Sequence, residues 1–236
     1  MASELSKLNQ TLRDGLEKAD FDLTLDYAQL TLEAIMNNEV LKEIPVVKTL
    51  VGITRGALAV REFFIAKKLI AFLQQFHLGE IPEEERQKFI KKLETDPKLK
   101  DRTIEQIVIM NDRYINIEKS AIHANLLLAH IHNKLSIEEL GDLLVSLDAL
   151  HPRSLDHLDK IGQSFQTKDT DVAFEAALLS GGLATQRVSC YVISDLGRKL
   201  YYYGLKADFD ANIPPVLGYD KRSEAQKESA KRFITR

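Results

Sequence analysis

The stretch IPVVKTLVGITRGALAVREFFIAKKLIAFLQQF, residues 44–76, is apolar nearly all the way round a helix yet carries charge on a fixed beat. Lys48, Arg55 and Glu62 recur every seven residues, and Thr54, Arg61 and Lys68 form the neighbouring row. On a helix these positions fall on one narrow stripe, which predicts a single solvent-facing edge and a remainder that hides against something. The cover is the chain's own helices, a partner's, or the edge of a bilayer, and periodicity alone does not separate the three. Arg55, Arg61 and Glu62 interrupt the apolar length, so a spanning helix is rejected. The segment is expected to be the central helix of a bundle, running from about Val46 to Phe76. Gly52, Gly56, Ala59 and Ala66 form a ridge of small residues on it, where another backbone can come close.

The rest of the chain can supply that cover. Its 236 residues are 44% hydrophobic, ample for a core, and only six prolines and eleven glycines punctuate them, which predicts a mainly α fold. A formal charge of −3 argues against a globally basic nucleic-acid binder. Cys190 is the only cysteine, so neither an intramolecular disulfide nor a cysteine-based zinc site can form, and a reducing cytoplasm fits best. The mixed-charge start MASELSKLNQTLRDGLEKAD lacks the apolar run of a secretory leader.

Outward from the central segment, Leu5, Leu8, Leu12 and Leu16, then Leu25, Ala28, Leu32 and Ile35, recur at helical spacing. Gly79 closes the apolar segment, Pro82 opens a helix through EEERQKFIKKLET, and Pro97 ends it. From Thr103 to about Asn133, Ile104, Ile107, Val108, Ile115, Ile122, Leu126 and Ala129 predict one long helix, kinked near Asn116 and suited to be the spine. Ser136 with Glu139 makes a capping box ahead of Leu140, Leu143, Leu144 and Leu147. Another helix follows over 154–165. Beyond Val172 the pattern becomes helix, Gly-Gly stop, short β-branched strand and Ser194-capped helix. The division expected is a helical bundle over 1–134, a second unit with a short β-hairpin over 135–207, and a loop and basic tail over 208–236.

Two resemblances attach to these residues. The blocks LKEIPVVKTLVGI, AVREFFIAKKLIAFLQQF and IPEEERQKFIKKLETDP, within 41–158, resemble a recurrent bacterial family of small helical proteins of unassigned function, similar in plan to abortive-infection alpha proteins. That likeness implies a cytoplasmic bacterial protein of a kind associated with mobile elements and phage defence, with no catalytic residue to carry over. The run LLSGGLA, CYVI and SDLGRKLYYYG looks like the closing part of a winged helix, with Leu183, Ile193, Ser194, Leu196, Gly197 and Leu200 matching. It departs from DNA-reading versions where Asp169 and Asp171 introduce the helix that would enter the major groove and Glu175 lies on it, because carboxylates repel phosphates.

Candidate contacts follow. Lys168, Arg187, Arg198 and Lys199 are the cations on hand for nucleic acid. Tyr201, Tyr202 and Tyr203 are consecutive, point in different directions on a helix, and predict at least one exposed ring for a protein partner. His123 with His130, and His151 with His157 near Asp156 and Asp159, match no short zinc spacing, so no metal or other cofactor is expected. No Walker loop, dinucleotide fingerprint, G-x-S-x-G or H-E-x-x-H occurs, and Asp112 and Glu118 are the carboxylates left to meet across a bundle. The expectation is a non-enzymatic protein that binds another protein or a second copy, with no small-molecule substrate identified. A membrane-acting effector using 46–76 and a DNA-binding regulator using the C-terminal unit are the two alternatives.

Overall fold

The computed structural model describes residues 2–18, 31–53, 60–164, 166–167, 172–187 and 190–214. The fold is mainly helical. In chain order the helices are α1 (Ala2–Glu17), α2 (Leu32–Asn37), α3 (Glu39–Lys42), α4 (Pro45–Ile53), α5 (Val60–Leu78), α6 (Glu83–Thr95), α7 (Pro97–Arg113), α8 (Glu118–Ile131), α9 (Ile137–Ala149) and α10 (Pro152–Ser164). Strand β1 (Gln166–Thr167), helix α11 (Val172–Ser180), strands β2 (Ala184–Arg187) and β3 (Cys190–Ile193), helix α12 (Asp195–Lys199) and a π-helical turn over Leu200–Leu205 complete it. The strands form an antiparallel sheet in the order β1-β3-β2, with Val192 opposite both Gln166 and Thr185.

Helix α8 is the spine. Every residue from 122 to 129 is buried, because α5 packs on one side, the π-helical turn on another, and α9 and α6 also touch it. Asn125 bridges two of these layers, accepting from the Gln75 amide at 2.9 Å and donating to Gly204 O at 2.8 Å. The buried apolar residues form one cluster from Leu8 of α1 to Phe209 beyond the π-helical turn, across the 134/135 boundary. Burying α8 on several faces removes water from all its apolar area, at roughly 25 cal/mol per Å².

Three expectations are corrected. A single straight helix over 46–76 is replaced by α4 and α5, which pack against each other as well as on α1, and a straight rod cannot touch itself. The expected solvent-facing stripe is only partly so: Lys48 and Arg61 are exposed, but Lys68 is 6% exposed and Glu62 half-buried. Arg55 and Thr54 lie outside the described residues. The long helix over 103–133 is two helices. Helix α7 begins already at Pro97, with Asp96 accepting from Leu99 N at 3.0 Å as its N-cap, and ends where Tyr114 turns to φ −58°, ψ 134° and buries its ring. Ile115, counted in the helical pattern, is 78% exposed in the connection.

Local signals elsewhere hold. Ser136 and Glu139 form the capping box, Ser194 accepts from Gly197 N at 2.9 Å, and Gly182 takes φ +70° after α11. A left-handed residue there lets the chain leave the helix and enter β2 without a Cβ clash.

Candidate functional site

The residues singled out from the sequence scatter. Ala66 is buried in α5 and Gly52 lies in α4, while Gly56 and Ala59 lie outside the described residues. Lys168 is also outside them, and Arg187 pairs in register with Cys190 at the end of the hairpin. Arg198, a candidate contact in the DNA-binding alternative, is 3% exposed and donates to Asp195 at 3.3 Å. Lys199 is held between Glu139 at 2.6 Å and Asp195 at 2.8 Å, joining α12 to the start of α9. Tyr201 and Tyr203 are buried and Tyr202 half-buried, so the expected exposed ring is not found. The cause is packing: the Tyr201 ring lies so close to Gly162 of α10 that a Cβ there would sit 2.3 Å from it.

Some buried titratable groups, the Tyr114 hydroxyl and His123 Nδ1 among them, have no hydrogen-bond partner among the described residues, but three buried cations are fully engaged. Three buried cations each close the C-terminal end of a helix. Arg86 donates to Phe76 O at 2.6 Å and Gly79 O at 3.1 Å behind α5; Lys68 donates to Asp112 O at 3.1 Å and Tyr114 O at 2.8 Å behind α7; Lys119 donates to Asp148 O at 3.0 Å and to Leu150 O behind α9. The last carbonyls of a helix lack intrahelical donors and carry the negative end of its dipole, so a cation there satisfies both. Burial lowers the pKa of all three, the neighbouring carboxylates opposing it. His123, edge-on to Phe72 and Tyr114, is pushed down to about 3 by burial alone. Asp112 pairs with Arg61 rather than meeting Glu118, whose carboxyl burial raises, with Asp156 adding. Among the described residues no three His, Cys, Asp or Glu side chains converge on a metal position. Nor, among them, is any helix long and apolar enough to cross a membrane.

What the structure does assemble is a surface. Arg61 of α5 holds Asp112 of α7 through two bonds, 2.6 and 3.3 Å, and Arg113 of α7 holds Asp148 of α9 at 2.8 Å. At the other end Arg102 of α7 acts on Glu138 of α9, a carboxyl already held low by its own backbone N–H and Ser136. Helices α7 and α9 therefore run side by side in the same direction, with α5 on the far flank of α7. Among the described residues seven large apolar side chains are exposed, and five belong to this region: Val60 and Phe64 beside Arg61, Ile109 one turn before Asp112 and Arg113, Ile115 just past them, and Val145 one turn before Asp148. By helical geometry Ile109 lies between the directions of Asp112 and Arg113 and opposite the buried Ile107 and Asn111. An open groove of about 550 Å³ continues along α7 past Lys98, Arg102, Glu105, Ile109 and Met110.

Scattered exposed apolar residues are ordinary, whereas several gathered on one face mark contact surfaces. The signal was present in the sequence. Val145 lies out of phase with Leu140, Leu143, Leu144 and Leu147, and Ile109 out of phase with Ile104 and Ile107. Comparison of the chain with protein-family models, curated proteins and solved structures finds no match.

Proposed function

We propose that this chain is a non-enzymatic, protein-binding protein of the bacterial cytoplasm, acting in phage defence or a mobile element, and that it binds through the face formed by α5, α7 and α9. The observation that carries the reading is the gathering of Val60, Phe64, Ile109, Ile115 and Val145 around two inter-helix ion pairs. The buried cations Lys68, Arg86 and Lys119 read as structural groups, since they are engaged with helix ends rather than lining a cleft. The C-terminal unit reads as a winged-helix-like scaffold, supported by the β1-β3-β2 order, the left-handed Gly182, the inward Ile193 and the Ser194 cap. Its use as a DNA reader is disfavoured because Arg198 is buried and Lys199 doubly paired.

The test is quantitative affinity capture with the full chain from phage-infected and uninfected cells. The Phe64→Asp/Val145→Asp variant should lose the proteins that the unaltered chain retains, while Lys199→Ala keeps them. Equal recovery by the face variant sinks the reading. Salt-dependent duplex DNA binding lost with Arg187→Ala would replace it with the regulator.

A further inference from the structure

The charges on the α5–α7–α9 face have an order. Crossing from α5 to α9, the side chains are Arg61, Asp112, Arg113 and Asp148, that is plus, minus, plus, minus. Asp112 and Arg113 are consecutive on α7, roughly 100° apart around the helix, so one leans to α5 and the other to α9 and the four fall into a row. A row of this kind is its own complement under a two-fold rotation. Turned about an axis between Asp112 and Arg113, it reads minus, plus, minus, plus. Arg61 of one copy then faces Asp148 of the other, and Asp112 faces Arg113, twice over. The rotation also lays Ile109, nearest the axis, against its own counterpart, and brings Val60 and Phe64 of one copy toward Val145 of the other.

From this we infer that the occupant of the face is a second copy of the chain, in a two-fold symmetric dimer whose axis passes close to Ile109, Asp112 and Arg113. The inference rests on the protein-binding reading above and names its partner. An isologous interface uses the same patch on both subunits, so like charges must not meet, and this order avoids that without any rearrangement. Apolar residues set among paired charges also match the usual anatomy of an interface, an apolar centre with a polar rim. Helix α7 is about 25 Å long with the shorter α9 beside it at roughly 10 Å, and α5 adds only its first turn, so the face presents about 500 Å² per copy, the small end of the range for specific interfaces.

Mass measurement by light scattering on the purified full chain at tens of micromolar decides the matter. The unaltered chain should run at twice its 26.7 kDa mass, and Ile109→Glu at the single-chain mass with its helical circular dichroism retained, since Ile109 is 55% exposed within one copy. Should Ile109→Glu fail to fold, Val145→Glu, at 68% exposure, takes its place. Charge exchange is the sharper arm. Asp112→Arg and Arg113→Glu should each be monomeric alone, yet dimerise when mixed, because every opposing pair is then of opposite sign. A monomeric unaltered chain overturns the second-copy assignment, and face-dependent capture of another protein would then leave the protein-binding reading standing. Dimers that survive Ile109→Glu or Val145→Glu, or a mixture that stays monomeric, overturn the two-fold arrangement.

Discussion

Lys119 exposes no surface at all, yet its ammonium is what closes α9, donating to the carbonyls of Asp148 and Leu150 from across the fold. Removing it leaves two buried acceptors unpaired and a cavity, so Lys119→Ala should lower stability by about 3 kcal/mol, read from the urea midpoint. His123 makes the complementary case. Its folded pKa of about 3 lies below the ordinary 6.5 of the unfolded chain, so its contribution is complete above pH 6.5 and is lost as pH falls toward 3. Between pH 7 and pH 5 it should account for about 2 kcal/mol of destabilisation, absent in His123→Phe, which keeps a ring between Phe72 and Tyr114. Neither role is visible along the chain. Periodicity places Lys68 on a wet stripe, since a lysine on a helix is exposed by default; the carbonyls that draw it inward belong to residues 44 and 46 positions away.

Elements follow local chemistry wherever the deciding contact is local. The Ser136–Glu139 box, the Ser194 cap and a left-handed glycine at the Gly181–Gly182 stop are legible because each involves groups within a few residues. Helix ends set from a distance were not. The end of α7 at Tyr114 depends on Lys68 and on a ring entering the core, and the separation of α4 from α5 depends on both packing against α1. Glycines show the same division. A Cβ at Gly197 would stand 2.0 Å from Leu183 O, since α12 crosses the chain there, so Gly197→Ala should cost roughly 3 kcal/mol or more in thermal unfolding. Gly141, inside α9 with nothing within 4 Å of that position, should behave oppositely: Gly141→Ala gains about 0.5–1 kcal/mol of helix propensity and raises the melting temperature.

At the scale of the whole molecule, α8 is shared by the N-terminal helices and the C-terminal unit, and the apolar cluster runs through both. Unfolding should therefore be one transition. Four of the seven tyrosines lie at 191 and 201–203 and there is no tryptophan, so tyrosine emission follows the C-terminal unit while far-ultraviolet dichroism follows the helices as a whole. The two melting curves should coincide; a separation of midpoints would mark two independently stable units. The sequence by itself determined the helical class, the Ser136 and Ser194 caps and the buried leucine faces of α1 and α9, because periodicity and capping are short-range and repeat within a turn or two. Only the tertiary structure decided which charges go inside, which tyrosines are covered, and which apolar residues are left together outside. Those outcomes depend on contacts between residues tens of positions apart: the rows of Arg61 and Asp112, or of Arg113 and Asp148, become one surface only after α5, α7 and α9 are laid side by side.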